Sequence, residues 1–313
     1  VNLFTLSQVF RATTERFRAS ARIDRRRRDH IINMKISRRA WIHKSVLTAS
    51  AAALPSTSIL AAASEPAVTP VAFFEKPLEL LSAEELAGQL ASIGFDGVEA
   101  TVRKGGRIEP EKAKDELPAL VETLKKSNLK VLVMASSISR ADQPHAEETL
   151  RTAARLGIKR YRLAKFQYDL KKPILPQLDA LKPQLRDLAA INRELGLTAV
   201  YQNHGGAANV GGQVWDLHYL MKDFDPREVA VAYDIRHAMV EGISAWKINF
   251  HLIRHWIQAA YVKDFVFEKA KAVNVPMGTG LVGDDFYQSL RQTAFTAPVS
   301  LHVPYLHPKT KAE

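Results

Sequence analysis

The pattern that most constrains this chain is a regular alternation of short apolar segments with amphipathic helical segments. Runs rich in β-branched and aromatic residues predict eight strands, at residues 71–74, 97–102, 130–135, 160–164, 198–202, 229–234, 259–262 and 299–303. Helical segments long enough for a parallel crossover separate nearly all of them. Eight such repeats in about 250 residues favour an α/β protein with one closed (β/α)8 TIM barrel over an open doubly wound sheet.

The charge of the chain is unevenly distributed. Its net charge is +11, but residues 1–44 contain 12 Lys and Arg against 3 Asp and Glu, whereas the rest contains 32 against 30. The basic excess therefore belongs to the N-terminal segment and not to the surface of the barrel, so we expect no nucleic-acid partner. The absence of cysteine excludes disulfides and thiolate metal sites.

Residues 34–63 resemble a twin-arginine export signal, with paired arginines, a mildly apolar run and a small-residue cleavage site in that order. A proline and many Ala and Ser residues make the apolar run too weak for a stable membrane span. We therefore expect residues 1–63 to be an upstream extension and signal peptide, disordered or cleaved. Residues 64–313 would then form a periplasmic barrel that is free of the membrane.

Polar side chains lie at the end of nearly every predicted strand. In a (β/α)8 barrel the carboxyl ends of the strands meet at one face, where the chemistry of such proteins is found. We expect these side chains to converge on one cleft there. They are Glu99, Ser136, Lys165, Gln202, Asn203, His204, Asp234, His237, Lys263, Asp264 and His302.

The sixth predicted strand leaves two interpretations open. Residues 229–233 are almost wholly apolar, Asp234 falls where the strand ends, and His237 lies three residues further on. A carboxylate and an imidazole placed there can form a ligand pair or a proton-transfer pair. Alternatively, Asp234 caps the next turn and His237 lies at the surface.

Two other charged residues also have simpler interpretations. Glu99 can form a salt bridge to Arg103 instead of binding a ligand. Lys165 can contact an anionic substrate, or it can belong to a solvated basic run with Arg160 and Arg162.

Together the strand ends resemble those of xylose isomerase-like barrels, a family of sugar phosphate isomerases and epimerases, although the sequence contains no strong glycine-rich phosphate loop. The resemblance extends over about residues 71–306 and rests on four motifs in order. They are Ile93-Gly-Phe-Asp-Gly-Val-Glu99, Asn203-His204-Gly-Gly, Asp234-x-x-His237 and Tyr261-Val-Lys263-Asp264. The resemblance implies a TIM barrel that acts on a small-molecule carbohydrate by proton transfer at carbon, and a homo-oligomer is possible.

The resemblance also implies a metal site that has been altered. Family members hold one divalent metal with a Glu, an Asp, a His and a Glu from strands five to eight. Those positions fall on Gln202, Asp234, Tyr261 and the segment from His302 to Pro304, so only Asp234 is retained. A neutral Gln oxygen is a poorer ligand for Mg²⁺ or Mn²⁺ than a carboxylate. We therefore expect either no cofactor or one divalent Mn, Mg or Zn ion.

Three functions remain open: an enzyme of modified mechanism, a carbohydrate-binding barrel without catalysis, and a metal site rebuilt with histidines. The catalytic candidates are His204, Asp234, Lys263 and His302. The substrate-binding candidates are Glu99, Lys165, Gln202, Asn203, His237 and Tyr261. The candidate metal ligand is Asp234, alone or with Gln202, His204, His237 or His302. A lysine beside a carboxylate can stabilise an oxyanion in place of a metal.

Overall fold

A computed structural model of the chain describes residues 69–306. The predicted extension and export signal at 1–63 lies outside the described residues. Export, the periplasmic location and a domain boundary at residue 64 therefore stay predictions.

Eight parallel strands close into a barrel, as the sequence predicts. They are β1 (Val71–Phe74), β2 (Gly97–Val102), β3 (Lys130–Ser136), β4 (Arg160–Arg162), β5 (Thr198–Gln202), β6 (Val229–Asp234), β7 (Ile257–Val262) and β10 (Val299–Leu301). Around the barrel the order is β1, β10, β7, β6, β5, β4, β3 and β2, with every neighbouring pair parallel. Strand neighbours in sequence are thus neighbours in space.

Helices surround this barrel. They are α1 (Ala83–Ile93), α2 (Ala113–Lys126), α3 (Ala146–Arg155), α4 (Ile174–Leu195), α5 (Val214–Met221), α6 (Ile235–Gly242), α7 (Trp246–Ile253) and α8 (Asp284–Gln292). Short 3-10 turns occupy Lys76–Leu78, Pro110–Lys112, Ile243–Ala245 and Arg254–Trp256. Within residues 69–306, no helix combines the length and the apolar character that a membrane span requires.

Local signals in the sequence explain where α1 begins and ends. Ser82 and Glu85 form a reciprocal capping box, in which each side chain accepts a hydrogen bond from the backbone N–H of the other residue. Gly94 ends the helix with a φ of 102°, a conformation that costs glycine little. Leu86 and Leu90 lie on the buried face between these ends.

Two elements were missed by sequence analysis. Helix α6 follows β6 without a linker, so no loop residue marks its start. An antiparallel hairpin of β8 (Asp264–Glu268) and β9 (Lys271–Val275) is inserted after β7. It was missed because its second strand is only partly buried and has a weak apolar pattern.

The barrel separates two apolar regions. The larger core lies between the strands and the outer helices. A small second cluster fills the barrel interior, and its members are Val133, Val200, Ala230, Ala232, Ala259 and Tyr261. Successive residues of a strand alternate between these two regions, which decides which polar side chains face inward at the strand ends.

We expect Gly97→Ala to lower the free energy of unfolding by about 1–3 kcal/mol, as overpacking does. A Cβ atom at Gly97 would clash with the backbone carbonyl of Lys130 on the neighbouring strand. The matched control is Gly88→Ala, at an exposed position of α1 where a Cβ atom meets nothing within 4 Å. That change should raise stability by about 0.5–1 kcal/mol. Urea unfolding of both variants is the measurement, and equal effects would contradict the strand packing described.

Candidate active site

The strand pleat brings polar side chains to the inner face at the carboxyl end of the barrel. Ala230 and Ala232 of β6 belong to the interior cluster, so Asp234, two residues further on, points the same way. On β7, Tyr261 belongs to that cluster and Lys263 follows it by two residues. The inward-facing residues at this end include Phe74, Glu99, Arg162, Gln202, Asp234, Tyr261, Lys263, Ser300 and His302.

Asp234 and Lys263 form a buried ion pair at the ends of β6 and β7. Lys263 Nζ lies 2.8 Å from Asp234 Oδ2, and the two residues are 8% and 0% exposed. Burial acts to raise the pKa of Asp234, but the charge of Lys263 and its hydrogen bond outweigh it and hold the pKa well below its ordinary value. Burial lowers the pKa of Lys263, and the charge of Asp234 opposes that shift.

Glu99 is the second buried acid, and three neighbouring side chains satisfy it. Arg162 Nη1 lies 2.9 Å from Glu99 Oε1. Glu99 Oε2 accepts hydrogen bonds from Ser300 Oγ at 2.7 Å and from His302 Nε2 at 2.9 Å. Burial acts to raise the pKa of Glu99, but the charge of Arg162 and the hydrogen bonds from His302 and Ser300 outweigh it and lower the pKa to about 2. Glu99 is therefore ionised and fully engaged.

Gln202 connects the two ion pairs. Its Nε2 donates a hydrogen bond to Asp234 Oδ2 at 2.7 Å, and its Oε1 accepts one from Arg162 Nη1 at 3.4 Å. Only a side chain with both a donor and an acceptor can make these two contacts. A carboxylate at this position would repel Asp234 instead of donating to it.

Asn203 and the start of α6 fix the position of Asp234. Asn203 Oδ1 accepts a hydrogen bond from the Asp234 backbone N–H at 2.6 Å, and Asn203 Nδ2 donates to the Asp234 carbonyl oxygen at 3.0 Å. Asp234 Oδ1 caps α6 by accepting from the His237 backbone N–H at 3.1 Å. Asp234 thus caps a turn and also enters the polar network. A surface position for His237 is wrong, because His237 is only 7% exposed.

His237 and His204 place two imidazole rings beside the Lys263 ammonium. The ring centroids lie 4.3 Å apart, and Lys263 Nζ lies 3.0 Å from His237 Nε2. An ammonium only donates, so Nε2 is the unprotonated nitrogen of His237. Burial lowers the pKa of His237 to about 3 and also lowers the pKa of His204. Both rings are therefore neutral at neutral pH.

His302 stands between two aromatic rings on the other side of Lys263. Its ring centroid lies 4.5 Å from that of Phe74 and 4.6 Å from that of Tyr261. Burial lowers the pKa of His302 despite the neighbouring Glu99. A carboxylate oxygen only accepts, so Nε2 of the neutral ring carries the proton and Nδ1 keeps a lone pair.

Arg162 is the site residue that sequence analysis missed. The alternative that places it in a solvated basic run is wrong, because Arg162 is only 8% exposed and faces the barrel interior. The alternative of a salt bridge between Glu99 and Arg103 is also wrong, since Arg162 is the partner. The alternation of side chains along a strand could have revealed this position. Tyr161 packs in the outer core, so the next residue, Arg162, faces the barrel interior. Lys165 is exposed beyond the strand end.

The side chains around Asp234 do not fit a divalent metal. Asp234 Oδ2 contacts both Lys263 and Gln202, and His237 Nε2 faces the same ammonium. Between residues 69 and 306, no group of three or more His, Cys, Asp or Glu side chains is arranged to hold a metal ion. A divalent cation at Asp234 would also be repelled by the charges of Lys263 and Arg162.

We expect Glu99→Gln to lower the free energy of unfolding by about 3–5 kcal/mol at pH 7, because it leaves the Arg162 guanidinium buried without a counter-charge. The matched control is Glu147→Gln, which removes an exposed partner of Arg151 and should cost less than about 1 kcal/mol. Denaturant unfolding of both variants is the measurement.

The difference between Glu99→Gln and the unmodified chain should also depend on pH. The pKa of Glu99 is lowered from 4.5 to about 2 on folding. The stabilisation from its charge is therefore present above pH 4.5 and is lost as the pH falls towards 2. A difference that stays constant down to pH 3 would contradict the ion pair.

Three solved structures share this fold. A 3-keto-D-glucoside 4-epimerase from E. coli has a TM-score of 0.59 at 14% identity, covering 75% of this chain and 92% of that one. A probable 3-DHS dehydratase from Bacillus anthracis has a TM-score of 0.60 at 16% identity, covering 75% and 93%. A xylose isomerase-like TIM barrel protein from Mycobacterium smegmatis, in complex with magnesium, has a TM-score of 0.56 at 16% identity, covering 76% and 92%.

At such identities these likenesses show the fold alone, and no curated protein matches the chain in sequence. The comparison with a family model shows the family as well as the fold. The model described as "Xylose isomerase-like TIM barrel" matches residues 87–313, which include every barrel strand after β1 and all of the inward-facing polar residues. The chain therefore belongs to the xylose isomerase-like TIM barrel family.

Proposed function

We propose that this protein is a carbohydrate isomerase or epimerase that moves a proton at a carbon next to a carbonyl group, with a lysine ammonium as its electrophile. The observation that carries the proposal is the placement of Lys263. Its charge is held by Asp234 at 2.8 Å, and neutral imidazoles lie on both sides of it along the ring of strands.

Lys263 is suited to stabilise a developing oxyanion. An ammonium has three N–H donors, and two of them are used by Asp234 Oδ2 and His237 Nε2. The third is available for a substrate carbonyl oxygen. A fixed cation in a site shielded from water stabilises the negative charge that forms on that oxygen in the transition state.

His204 is the proposed base. Its Nδ1 lies 3.0 Å from the carbonyl oxygen of Gly205, which can only accept, so Nδ1 carries the proton and Nε2 keeps its lone pair. The ring is partly exposed and neutral. Glu99 and Asp234 are poor bases by comparison, because their ion pairs hold both pKa values low.

The proposed reaction moves one proton between carbon atoms and one between oxygen atoms of the sugar. His204 Nε2 removes the proton from the carbon beside the carbonyl group, and the C–H electron pair forms the double bond of an enediolate. The carbonyl π electrons move to the oxygen at Lys263. Return of the proton to the neighbouring carbon, while His302 Nδ1 transfers the hydroxyl proton between the oxygens, gives the isomerised sugar. Epimerisation by this single base needs the enediolate to turn over in the site, so that His204 Nε2 returns the proton to the other face of the same carbon.

A second candidate function is carbohydrate binding without catalysis. One observation favours it: both buried carboxylates are paired with cations, and Glu99 also accepts two hydrogen bonds. A network held by these contacts can serve as a rigid binding surface for hydroxyl groups.

Proton exchange in D2O separates the two functions. We expect the protein to replace the hydrogen beside the carbonyl group with deuterium in at least one member of a panel of aldoses, ketoses and keto-sugar derivatives, observed by proton NMR. His204→Gln should slow the exchange by about 100-fold or more, since a general base contributes about that much.

The matched control for this experiment is His251→Gln, the same change at an exposed position on α7. It should leave the exchange rate unchanged, and thermal unfolding should show that both variants fold. Binding of a sugar without exchange would favour the non-catalytic function. Exchange that survives His204→Gln would remove His204 from the proposed role.

The pH dependence of the exchange gives a further prediction. Burial lowers the pKa of His204 below 6.5, the charges of Lys263 and Lys165 add to that effect, and the charge of Asp234 opposes it. A base with a lowered pKa stays unprotonated to lower pH. Initial rates at low sugar concentration should therefore fall towards acid pH with a midpoint below 6.5. An acidic limb with a midpoint at or above 6.5 would contradict this role.

A further inference from the structure

We propose that the substrate carries an anionic group, a carboxylate or a phosphate, and that Arg103 binds it at the mouth of the barrel. This inference rests on the proposed function and adds a substrate class to it. It makes Arg103, which follows β2 directly, a specificity-determining residue.

Arg103 is placed against the site without an ion-pair partner. Its guanidinium lies 5.9 Å from the ring centroid of Phe74, and the guanidinium of Arg162 lies 5.2 Å from the same ring. The side chain is partly buried, and within residues 69–306 no carboxylate forms an ion pair with it. Two guanidinium groups therefore share one aromatic ring.

Glu99 and Glu79 attract Arg103 by charge, but neither carboxylate forms an ion pair with it. Glu99 is already engaged with Arg162, Ser300 and His302. Glu79 attracts Arg103 by charge at longer range. Burial lowers the pKa of Arg103, and the like charge of Arg162 lowers it further. A partly buried cation beside a second cation is stabilised when an anion binds between them or next to them.

The position of Arg103 also fits a substrate that extends across the barrel mouth. The groups proposed for proton transfer follow β5, β6, β7 and β10, which are consecutive in the ring. Arg103 follows β2, on the other side of β10 and β1. Phe74 at the end of β1 lies between the two regions and contacts both His302 and Arg103. A sugar with its carbonyl group at Lys263 would direct its far end towards Arg103.

Arginine is the residue type that suits such a group. Its planar fork of N–H donors matches carboxylate and phosphate oxygens, and such charge-assisted hydrogen bonds are about twice as strong as neutral ones. A neutral hydroxyl group would gain much less from the same side chain. The expected substrates are therefore sugar acids or sugar phosphates and not neutral sugars.

The test compares three ligands that differ only at C6: D-glucose, D-glucuronate and D-glucose 6-phosphate. Calorimetry with the full chain should give at least about tenfold tighter binding for one of the anions than for glucose. Tighter glucuronate binding identifies a carboxylate site, and tighter glucose 6-phosphate binding identifies a phosphate site. Arg103→Gln should abolish the preference while leaving the affinity for glucose unchanged.

The control is Lys104→Gln, which removes the same charge from the next residue, an exposed side chain. Lys104→Gln should keep the tighter binding of the anionic ligand. That result would show that Arg103 contacts the anion directly and does not act only through the net charge of the region. Equal binding of all three ligands, or a preference that survives Arg103→Gln, would overturn the inference. A preference for anions without deuterium exchange would support the role of Arg103 and contradict the proposed function. Exchange confined to neutral sugars would contradict the role of Arg103 and support the proposed function.

Discussion

The site depends on the mutual neutralisation of four charges inside the barrel. Arg162 pairs with Glu99, and Lys263 pairs with Asp234. Each charge alone would cost several kcal/mol to bury, and removing one partner strands the other. Gln202 ties the pairs together, so the network acts as one unit. This balance lowers the pKa of both acids, which makes them poor bases.

Much of the fold and part of the site could be predicted from sequence. All eight barrel strands follow from short-range patterns, and so do Asp234, Lys263 and His302, because each lies at the end of an apolar strand. The role of Arg162 could not be found this way. Its partner Glu99 is distant in the sequence, and only closure of the barrel brings the two together. Local patterns also cannot distinguish a capping carboxylate from a charged site residue, and Asp234 is both.

The family resemblance implies a set of metal ligands, and Gln202 and Tyr261 both depart from it. The two departures have a common physical reason. A divalent metal needs several anionic ligands, which neutralise its charge. Here Lys263 brings one positive charge to Asp234, and a third acid would leave the site with excess negative charge. The neutral Gln202 avoids that excess and also supplies the donor that Asp234 accepts. Tyr261 fills the barrel interior with a neutral phenol, since burial and the charge of Glu99 raise its pKa well above 10.

This coupling constrains any route back to a metal site. A carboxylate restored at position 202 alone would face Asp234 where Gln202 Nε2 now donates at 2.7 Å, and two like charges that close cannot both stay ionised at low cost. A histidine at 261 alone would still meet the Lys263 ammonium beside Asp234, because that side chain enters from the same strand end. Substitutions that restore the metal ligands would therefore also have to replace Lys263. Lys263 is therefore the residue that most directly opposes a metal at Asp234, and the neutral side chains of Gln202 and Tyr261 are compatible with it.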